Sequence, residues 1–278
     1  MNTYLNKKFV STVTKFLKHN SINSILIAIS GGQDSLCLIK LLEIFHVAHQ
    51  PLLKITYIYI DHQWKKNKNN YQQIKHLINI IRGKKIAIYQ IKQIIKSETK
   101  ARNIRYQTII NHANKHKYQA IITAHTQTDK IETLLQQIIR GTSLNGITSL
   151  SEKRKFTKDI YIYRPLLSFT RQEIHWFCRK FYLPIWSDTT NYENKIQRNR
   201  LRNELIPYIN KYFASNIESK LTSFINISML ENEYIKQNAI KLYLSSRHKL
   251  NLALNYKLIN NQHIALQIRT LQIFFFII

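Results

Sequence analysis

Residues 24–42 read SILIAISGGQDSLCLIKLL, and this stretch decides the fold of the chain. Its first part, Ile25 to Ile29, is a short apolar run rich in β-branched residues, which is typical of a strand buried on both faces. From Leu36 onwards the apolar residues recur at helical spacing. The stretch therefore predicts a strand, a turn and a helix.

The predicted turn contains two adjacent glycines, although the 278-residue chain has only five in all. Glycine lacks a Cβ, so such a pair permits a positive φ and a close approach of the backbone to a ligand. The following helix offers unpaired N–H groups and about half a positive charge at its start, which favours an anion such as phosphate. The simpler interpretation, an ordinary turn with Asp34 or Ser35 as helix N-cap, stays open at this point. The turn comprises Ser30, Gly31, Gly32, Gln33, Asp34 and Ser35.

Strands and helices alternate along the rest of the first 180 residues. An amphipathic helix is predicted through Phe9, Val13, Phe16 and Leu17. Further strands are predicted at 52–60, 85–90, 120–124 and 161–167, and helices at 71–81, 97–115, 128–140 and after Thr170. This order predicts an α/β fold with a doubly wound parallel sheet, whose ligands bind at the carboxyl ends of the strands. We place a catalytic domain at 1–211 and a small helical C-terminal domain at 212–278.

Positive charge dominates the composition. Lys and Arg number 42 against 15 Asp and Glu, which gives a net charge of +27. Such an excess predicts a polyanionic partner, above all nucleic acid, because neutralised phosphates release counterions. An A+T-rich genome, which favours Lys, Asn, Ile, Tyr and Phe, is the simpler explanation of part of the excess.

The cysteines and the chain ends restrict the class of protein further. Cys37 and Cys178 are far apart in sequence and form no Cys-x-x-Cys, so we expect neither a disulfide framework nor a thiolate zinc site. No signal peptide precedes the first helix, and the apolar residues 271–278 are too few to span a bilayer. A soluble protein without membrane contact is expected.

Two short polar motifs are candidates for a ligand site, one at the end of a predicted strand and one on a predicted helix. Asp61-His62 ends the second strand, where a ligand site and a capped strand end are equally compatible with the sequence. Arg102 and Arg105 are three residues apart on a helix and share a face, which suits phosphate or carboxylate as well as a solvated basic surface.

A pair of acids gives a stronger signal. Asp129 and Glu132 lie three residues apart in the first turn of a predicted helix and project together, as a receptor for a cationic substrate would require. The helix dipole favours acids there in any case. Gly141 and Gly146 then lie in a shaped loop directly after this helix.

Three arginines at alternate positions follow Asp188-Thr189-Thr190-Asn191. Arg198, Arg200 and Arg202 cannot all share one helical face, so some are expected to point inward and others towards RNA backbone. For Arg200 a plain basic surface is a serious alternative.

Taken together, these motifs resemble a known family. The turn resembles the Ser-Gly-Gly-x-Asp-Ser pyrophosphate loop of the N-type ATP pyrophosphatases, whose sheet is of the adenine nucleotide α-hydrolase-like type. The ordered set of motifs over about residues 24–207 resembles the tRNA(Ile)-lysidine synthetases. That set is Asp-His, Ala-Arg-x-x-Arg-Tyr, Ala-His-x-x-x-Asp-x-x-Glu-Thr, Arg-Gly-Thr-Ser-Leu-x-Gly, Arg-Pro-Leu-Leu and Asn-x6-Arg-Asn-x-x-Arg.

The resemblance implies a ligase that uses ATP to adenylate C2 of the wobble cytidine in a CAU-anticodon tRNA(Ile). The ε-amine of lysine then displaces AMP to form lysidine and changes the tRNA from methionine to isoleucine identity. It implies that the residues from Ser30 to Ser35 hold the phosphates of ATP and that Asp34 engages Mg²⁺. Asp129 and Glu132 would receive free lysine, while Arg105 and Arg202 would lie at the reaction crevice.

The sequence departs from the family at four positions, and alternatives remain. Thr126, Thr128, Trp64 and Lys65 replace residues common in the family, which leaves their roles open. A PP-loop tRNA thiolase and a non-enzymatic basic RNA-binding protein are the alternative functions. We expect a plastid-encoded protein of the chloroplast stroma, with the cytoplasm of an A+T-rich bacterium as alternative. A homodimer is a further expectation.

Overall fold

Within the part of the chain that the structure describes, six strands form one sheet. A computed structural model describes residues 3–61, 70–91, 98–157, 160–186 and 196–277. The strands are β1 (Ser24–Ile29), β2 (Lys54–Asp61), β3 (Ile86–Gln90), β4 (Ala120–Thr123), β5 (Lys153–Lys155) and β6 (Tyr161–Tyr163). Their order is β3-β2-β1-β4-β6-β5, and the pairs are parallel except β5 with β6.

The helices confirm the predicted alternation, with bounds that differ by a few residues. They are α1 (Tyr4–His19), α2 (Gln33–His49), α3 (Asn70–Ile80), α4 (Glu98–Lys115), α5 (Gln127–Ile139), α6 (Leu144–Ile147), α7 (Arg171–Lys180), α8 (Gln197–Arg200), α9 (Ile206–Tyr212), α10 (Ile217–Ser246), α11 (Tyr256–Asn260) and α12 (Ile264–Ile277). A π-helical segment, Leu201–Leu205, joins α8 to α9.

Side chains alternate along the strands between two apolar cores. Ile25, Ile27 and Ile29 of β1 pack with residues of α1, α2 and α7 on one face of the sheet. Leu26 packs with residues of α4 on the other face. The sheet is therefore covered on both faces, which confirms the predicted doubly wound α/β fold.

By compactness the chain divides into two units. The first comprises residues 1–130 and 151–205, and the second comprises 131–150 and 206–278. In the second unit the buried amide of Asn232 on α10 donates to Asn145 Oδ1 (3.2 Å) and Thr148 Oγ1 (2.8 Å). The functional boundary at residue 211 stays a prediction. Within the described ranges, no helix is long and apolar enough to cross a bilayer.

The turn after β1 depends on a left-handed backbone at Gly31. Its φ is +82°, and a Cβ built there would lie 3.2 Å from Leu77 Cδ2 on α3. Gly83 has nearly the same φ, +81°, but a Cβ there would meet nothing within 4 Å. Alanine at Gly83 would therefore introduce backbone strain alone, whereas alanine at Gly31 would introduce backbone strain and a steric contact with Leu77.

We expect Gly31→Ala to destabilise the fold more than Gly83→Ala. Both variants incur about 1–2 kcal/mol from the left-handed conformation, whereas only Gly31→Ala also displaces Leu77. Thermal unfolding of both variants beside the wild type measures the difference. Equal losses would show that the Leu77 contact has no energetic weight.

Candidate active site

The glycine turn lies at the carboxyl end of β1, where the strand order reverses between β2 and β4. Ser30 N–H donates to Ser35 Oγ (3.1 Å), and Gln73 Nε2 donates to the Ser30 carbonyl (2.9 Å). Gly32 is the N-cap of α2, and no side chain of the described residues caps that turn. An N-cap at Asp34 or Ser35, the simpler interpretation of the sequence, is therefore wrong. The uncapped N–H groups at the start of α2 can bind an anion at this switch point.

Asp34 lies in the first turn of α2 and is half-buried. Burial and, after it, the neighbouring charge of Asp129 raise the pKa of its carboxyl to about 6 against the opposing effects of Arg202 and Arg171. Two carboxylates therefore repel each other at the carboxyl edge of the sheet. A cation placed beside Asp34 would relieve this repulsion.

Asp129 is held in place by the first turn of α5. Its Oδ2 accepts hydrogen bonds from Thr126 N–H (2.9 Å) and Thr126 Oγ1 (3.1 Å). Burial alone would raise the pKa of Asp129, but His125, the Thr126 N–H, Arg202 and Arg198 outweigh burial and lower it. Thr126, whose role the sequence left open, therefore orients the Asp129 carboxylate and is one of several groups that lower its pKa.

His125 is a neutral neighbour of this carboxylate. Burial, together with the charges of Arg164, Arg102 and Arg198, lowers the pKa of its imidazole to about 3 against the opposing effect of Asp129. Its Nδ1 lies 2.8 Å from Thr123 Oγ1 at the end of β4. The imidazole of His125 is therefore neutral at pH 7, and the charges around Asp129 are those of the acids and the arginines.

Arginines from several segments act on Asp34, Asp129 or the neighbouring His125. Arg164 follows β6, is 5% exposed, and donates from Nη1 to the Ser151 carbonyl (2.8 Å). Burial lowers the pKa of Arg164. The other arginines that act on Asp34, His125 or Asp129 are Arg102, Arg171, Arg198 and Arg202. Such a cluster favours a multiply charged anion beside the acids.

The three alternate arginines separate as the sequence suggested. Arg198 and Arg202 act on Asp129, whereas the exposed Arg200 forms an ion pair with Glu204 (3.6 Å). The π-helical segment begins directly after Arg200, and such segments are frequent at functional sites. The inward positions are thus 198 and 202, while Arg200 belongs to the basic surface.

For the other residues predicted to lie in the site, the structure gives a position and a degree of burial. Glu132 is fully buried on α5, one turn after Asp129, and Arg105 lies on α4 three residues after Arg102. Asp61 is buried at the end of β2, where Gln90 Nε2 donates to its Oδ2 (3.3 Å). The roles of all these residues stay predictions. His62, Trp64, Lys65 and residues 188–191 lie outside the described residues.

The residues that sequence reasoning did not assign to the site are His125, Thr126, Arg164 and Arg171. All except Arg171 lie within motifs quoted above, so the motifs marked the segments without identifying which members face the acids. Arg171 gave no signal, because its place beside Asp34 depends on how α7 packs against α2.

The two cysteines meet in the core although they are far apart in sequence. Cys37 of α2 and Cys178 of α7 are both buried free thiols. The Cys178 thiol donates to the Gln33 carbonyl (3.6 Å), and its hydrogen bond with Cys37, together with burial, raises the pKa of the Cys37 thiol. Raised pKa and burial favour an inert structural role.

Comparison with known proteins identifies the class to which the chain belongs. A family model described as a PP-loop domain matches residues 5–209. The fold and the glycine turn thus define a PP-loop, ATP-binding class of protein. The similar solved structures include the U34-tRNA thiolase NcsA from Methanococcus maripaludis with its [4Fe-4S] cluster. It has a TM-score of 0.66 and 14% identity over 82% of this chain and 78% of that one, a likeness of fold alone.

Curated relatives narrow the class. The chain is 50% identical over 276 residues to the chloroplastic tRNA(Ile)-lysidine synthase of Gracilaria tenuistipitata var. liui, covering 99% of this chain and 86% of the relative. It is 40% identical over 278 residues to the chloroplastic tRNA(Ile)-lysidine synthase of Pyropia yezoensis, and the match covers 99% of this chain and 83% of that relative. The chain belongs to the tRNA(Ile)-lysidine synthase family.

We expect Asp34→Asn to stabilise the protein at neutral pH. Because the pKa of Asp34 is higher in the folded state, the protonated form favours folding at low pH, and this contribution declines as the pH rises towards about 6. The gain at pH 7.5 should be on the order of 1–3 kcal/mol and should vanish near pH 4. Thermal unfolding across this range measures it, with the exposed Glu231→Gln as control. A gain of equal size at pH 4 and pH 7.5 would contradict the electrostatic cause.

Proposed function

We propose that this chain ligates free lysine to C2 of the wobble cytidine of a CAU-anticodon tRNA(Ile), using ATP and forming lysidine. The observation that carries the proposal is the joint position of Asp34, Asp129 and several arginines beside the uncapped start of α2, at one edge of the sheet. The two curated relatives named tRNA(Ile)-lysidine synthase, similar over nearly the whole chain, support it.

ATP supplies the activating group. The PP-loop domain implies ATP use, and the N–H groups at the start of α2 suit its phosphates. Asp34 suits Mg²⁺, because a cation would offset the charges of Asp34 and Asp129. Mg²⁺ is held by few carboxylates together with substrate phosphates, and when bound it would neutralise charge on the phosphates.

The acids suit an amino-acid substrate with positive charge. Asp129 remains ionised at neutral pH, and Glu132 lies one turn further along α5. We propose that both carboxylates bind the lysine substrate. In the second step, the lysine ε-amine loses a proton and its nitrogen bonds to C2 as AMP leaves. Arg202, with Arg198 and Arg105, would counter the negative charge that develops on AMP.

The remaining assignments concern partner and location. The net charge of +27 suits a tRNA partner. The names of the two red-algal relatives favour a plastid location, and we place the chain in the chloroplast stroma rather than a bacterial cytoplasm. The homodimer stays a prediction.

The alternative functions receive less support. A thiolase that uses cysteine chemistry needs accessible thiolates, whereas Cys37 and Cys178 are each 1% exposed. A non-enzymatic RNA-binding protein needs the positive charge but not Asp34 or Asp129 in an arginine cluster.

The decisive experiment measures sustained pyrophosphate release from ATP with a CAU-anticodon tRNA(Ile) transcript. We expect release only when lysine is present, and much less with a transcript whose wobble base is uridine. Release that is independent of lysine, or no release at all, would overturn the proposal.

Asp129→Asn and Glu132→Gln should weaken lysine use selectively. Hydrogen bonds to charged groups contribute about 1.5–3 kcal/mol, so KM for lysine should rise by about tenfold or more. The KM for ATP should change much less. Steady-state kinetics with each substrate varied tests this, with Glu233→Gln as surface control. A rise confined to ATP would remove both residues from the lysine site.

The arginines provide a matched set. Arg198→Gln and Arg202→Gln should lower kcat/KM by about ten- to a hundredfold, because charge-assisted contacts to the reacting groups are lost. Arg200→Gln should have little effect, because an exposed ion pair contributes about 0–1 kcal/mol. Equal losses in all three variants would contradict the inward and outward assignment.

A further inference from the structure

One side of α7 is exposed and carries cationic and aromatic side chains. Its residues recur at spacings of three and four, so they form a single helical face, which we call the α7 face. The buried side chains of α7, Ile174, Phe177 and Cys178, point into the core. The α7 face comprises Gln172, His175, Trp176, Arg179 and Lys180, all exposed.

An open cavity of about 510 Å³ lies on this face, lined by His175, Trp176, Arg179 and Lys180. The indole of Trp176 is 46% exposed, and Lys180 Nζ lies 4.8 Å from its ring centroid. An indole is a large apolar group that is more often buried. Core packing therefore does not explain its position.

The acid on α7 does not neutralise this surface. Glu173 accepts a hydrogen bond from Thr170 N–H (2.7 Å) in the capping box and forms an ion pair with Lys8 (3.4 Å). It lies on the side of the helix that faces α1, to which Lys8 belongs. Glu173 is the only acid on α7 itself, all of which the structure describes, so Arg179 and Lys180 give the α7 face a positive charge.

A second exposed aromatic residue follows the helix. Tyr182 has φ +48° and is 92% exposed. The Leu183 N–H bonds to the Cys178 carbonyl (3.0 Å), which closes the helix in a turn where glycine is the usual residue. A bulky side chain in this conformation is uncommon and marks a candidate functional position.

The α7 face is continuous with the candidate active site through its own helix. Arg171, the first residue of α7, acts on Asp34. At 1.5 Å per residue, Trp176 and Arg179 lie about 8 Å and about 12 Å further along the helix axis. A polyanion bound at Asp34 can therefore extend along α7.

We propose that the α7 face binds the RNA backbone of the substrate beside the reacting nucleotide. This inference rests on the proposed function. Arg179 and Lys180 contact phosphates, and the Trp176 ring stacks on an unpaired base. Proteins recognise single-stranded RNA by this combination of cations and aromatic planes, and an anticodon loop supplies both phosphates and unstacked bases.

The test compares variants with matched controls on α1. Arg179→Gln/Lys180→Gln removes two charges from the α7 face, and Lys15→Gln/Lys18→Gln removes two exposed charges from α1. Trp176→Ala removes the ring, and Tyr4→Ala removes a ring that is 71% exposed. Fluorescence anisotropy with a CAU-anticodon tRNA(Ile) transcript measures binding across a salt series, without ATP or lysine.

Both variants of the α7 face should weaken RNA binding more than their controls. Losing two phosphate contacts should reduce the slope of log K against log salt by about 1–2. Trp176→Ala should weaken binding by about five- to a hundredfold and leave that slope unchanged. Wild-type affinity in both variants would overturn the proposal and leave the face for a protein partner. So would losses no larger than those of the controls.

Two readouts distinguish RNA binding on the α7 face from a structural role of its residues and from failure of the proposed function. Basic residues in the last turn also stabilise a helix, so a purely structural role would lower the melting temperature without a specific loss of RNA affinity. Binding requires no catalysis, whereas failure of the proposed function appears as absent lysine-dependent pyrophosphate release by the wild type. The two failures are therefore distinguishable.

Discussion

The repulsion between Asp34 and Asp129 is the constraint on which the site depends. Both carboxylates lie at the carboxyl edge of the sheet, one after β1 and one after β4. The pKa of Asp34 is raised and that of Asp129 is lowered, so the two acids differ in how readily they accept a proton. Arginines from separate segments offset the repulsion. The burial of the strands between two apolar cores holds these arginines and the two acids close together.

The sequence predicted the architecture because its signals are local. A β-branched run, a glycine pair and a helical repeat occur within residues 24–42, and the same alternation recurs along the next hundred residues. The strand β5 escaped prediction, because Lys153–Lys155 has no apolar residue and pairs only as an antiparallel edge. Such a strand is stabilised by backbone hydrogen bonds to β6, and its own residues show no strand pattern.

The candidate site was predictable only in part. Asp34, Asp129 and Arg202 belong to motifs whose positions on helices follow from periodicity. The choice between Arg198 and Arg200 required the register of α8 and the π-helical segment, which spacing alone does not give. Thr126 and Arg171 act through tertiary or capping contacts, and a single sequence carries no sign of these. The meeting of Cys37 with Cys178 likewise depends on the packing of α2 against α7.

The glycine cap of α2 links ligand supply to folding. Among the described residues, no side chain satisfies the first N–H groups of that helix, so an anion arriving there completes hydrogen bonding that the polypeptide leaves to its surroundings. Any ligand that binds only the native state shifts the unfolding equilibrium in proportion to the logarithm of its concentration. Under the proposed function, a nucleotide bound at this helix start would therefore stabilise the fold, and the free energy of unfolding would rise with the nucleotide concentration.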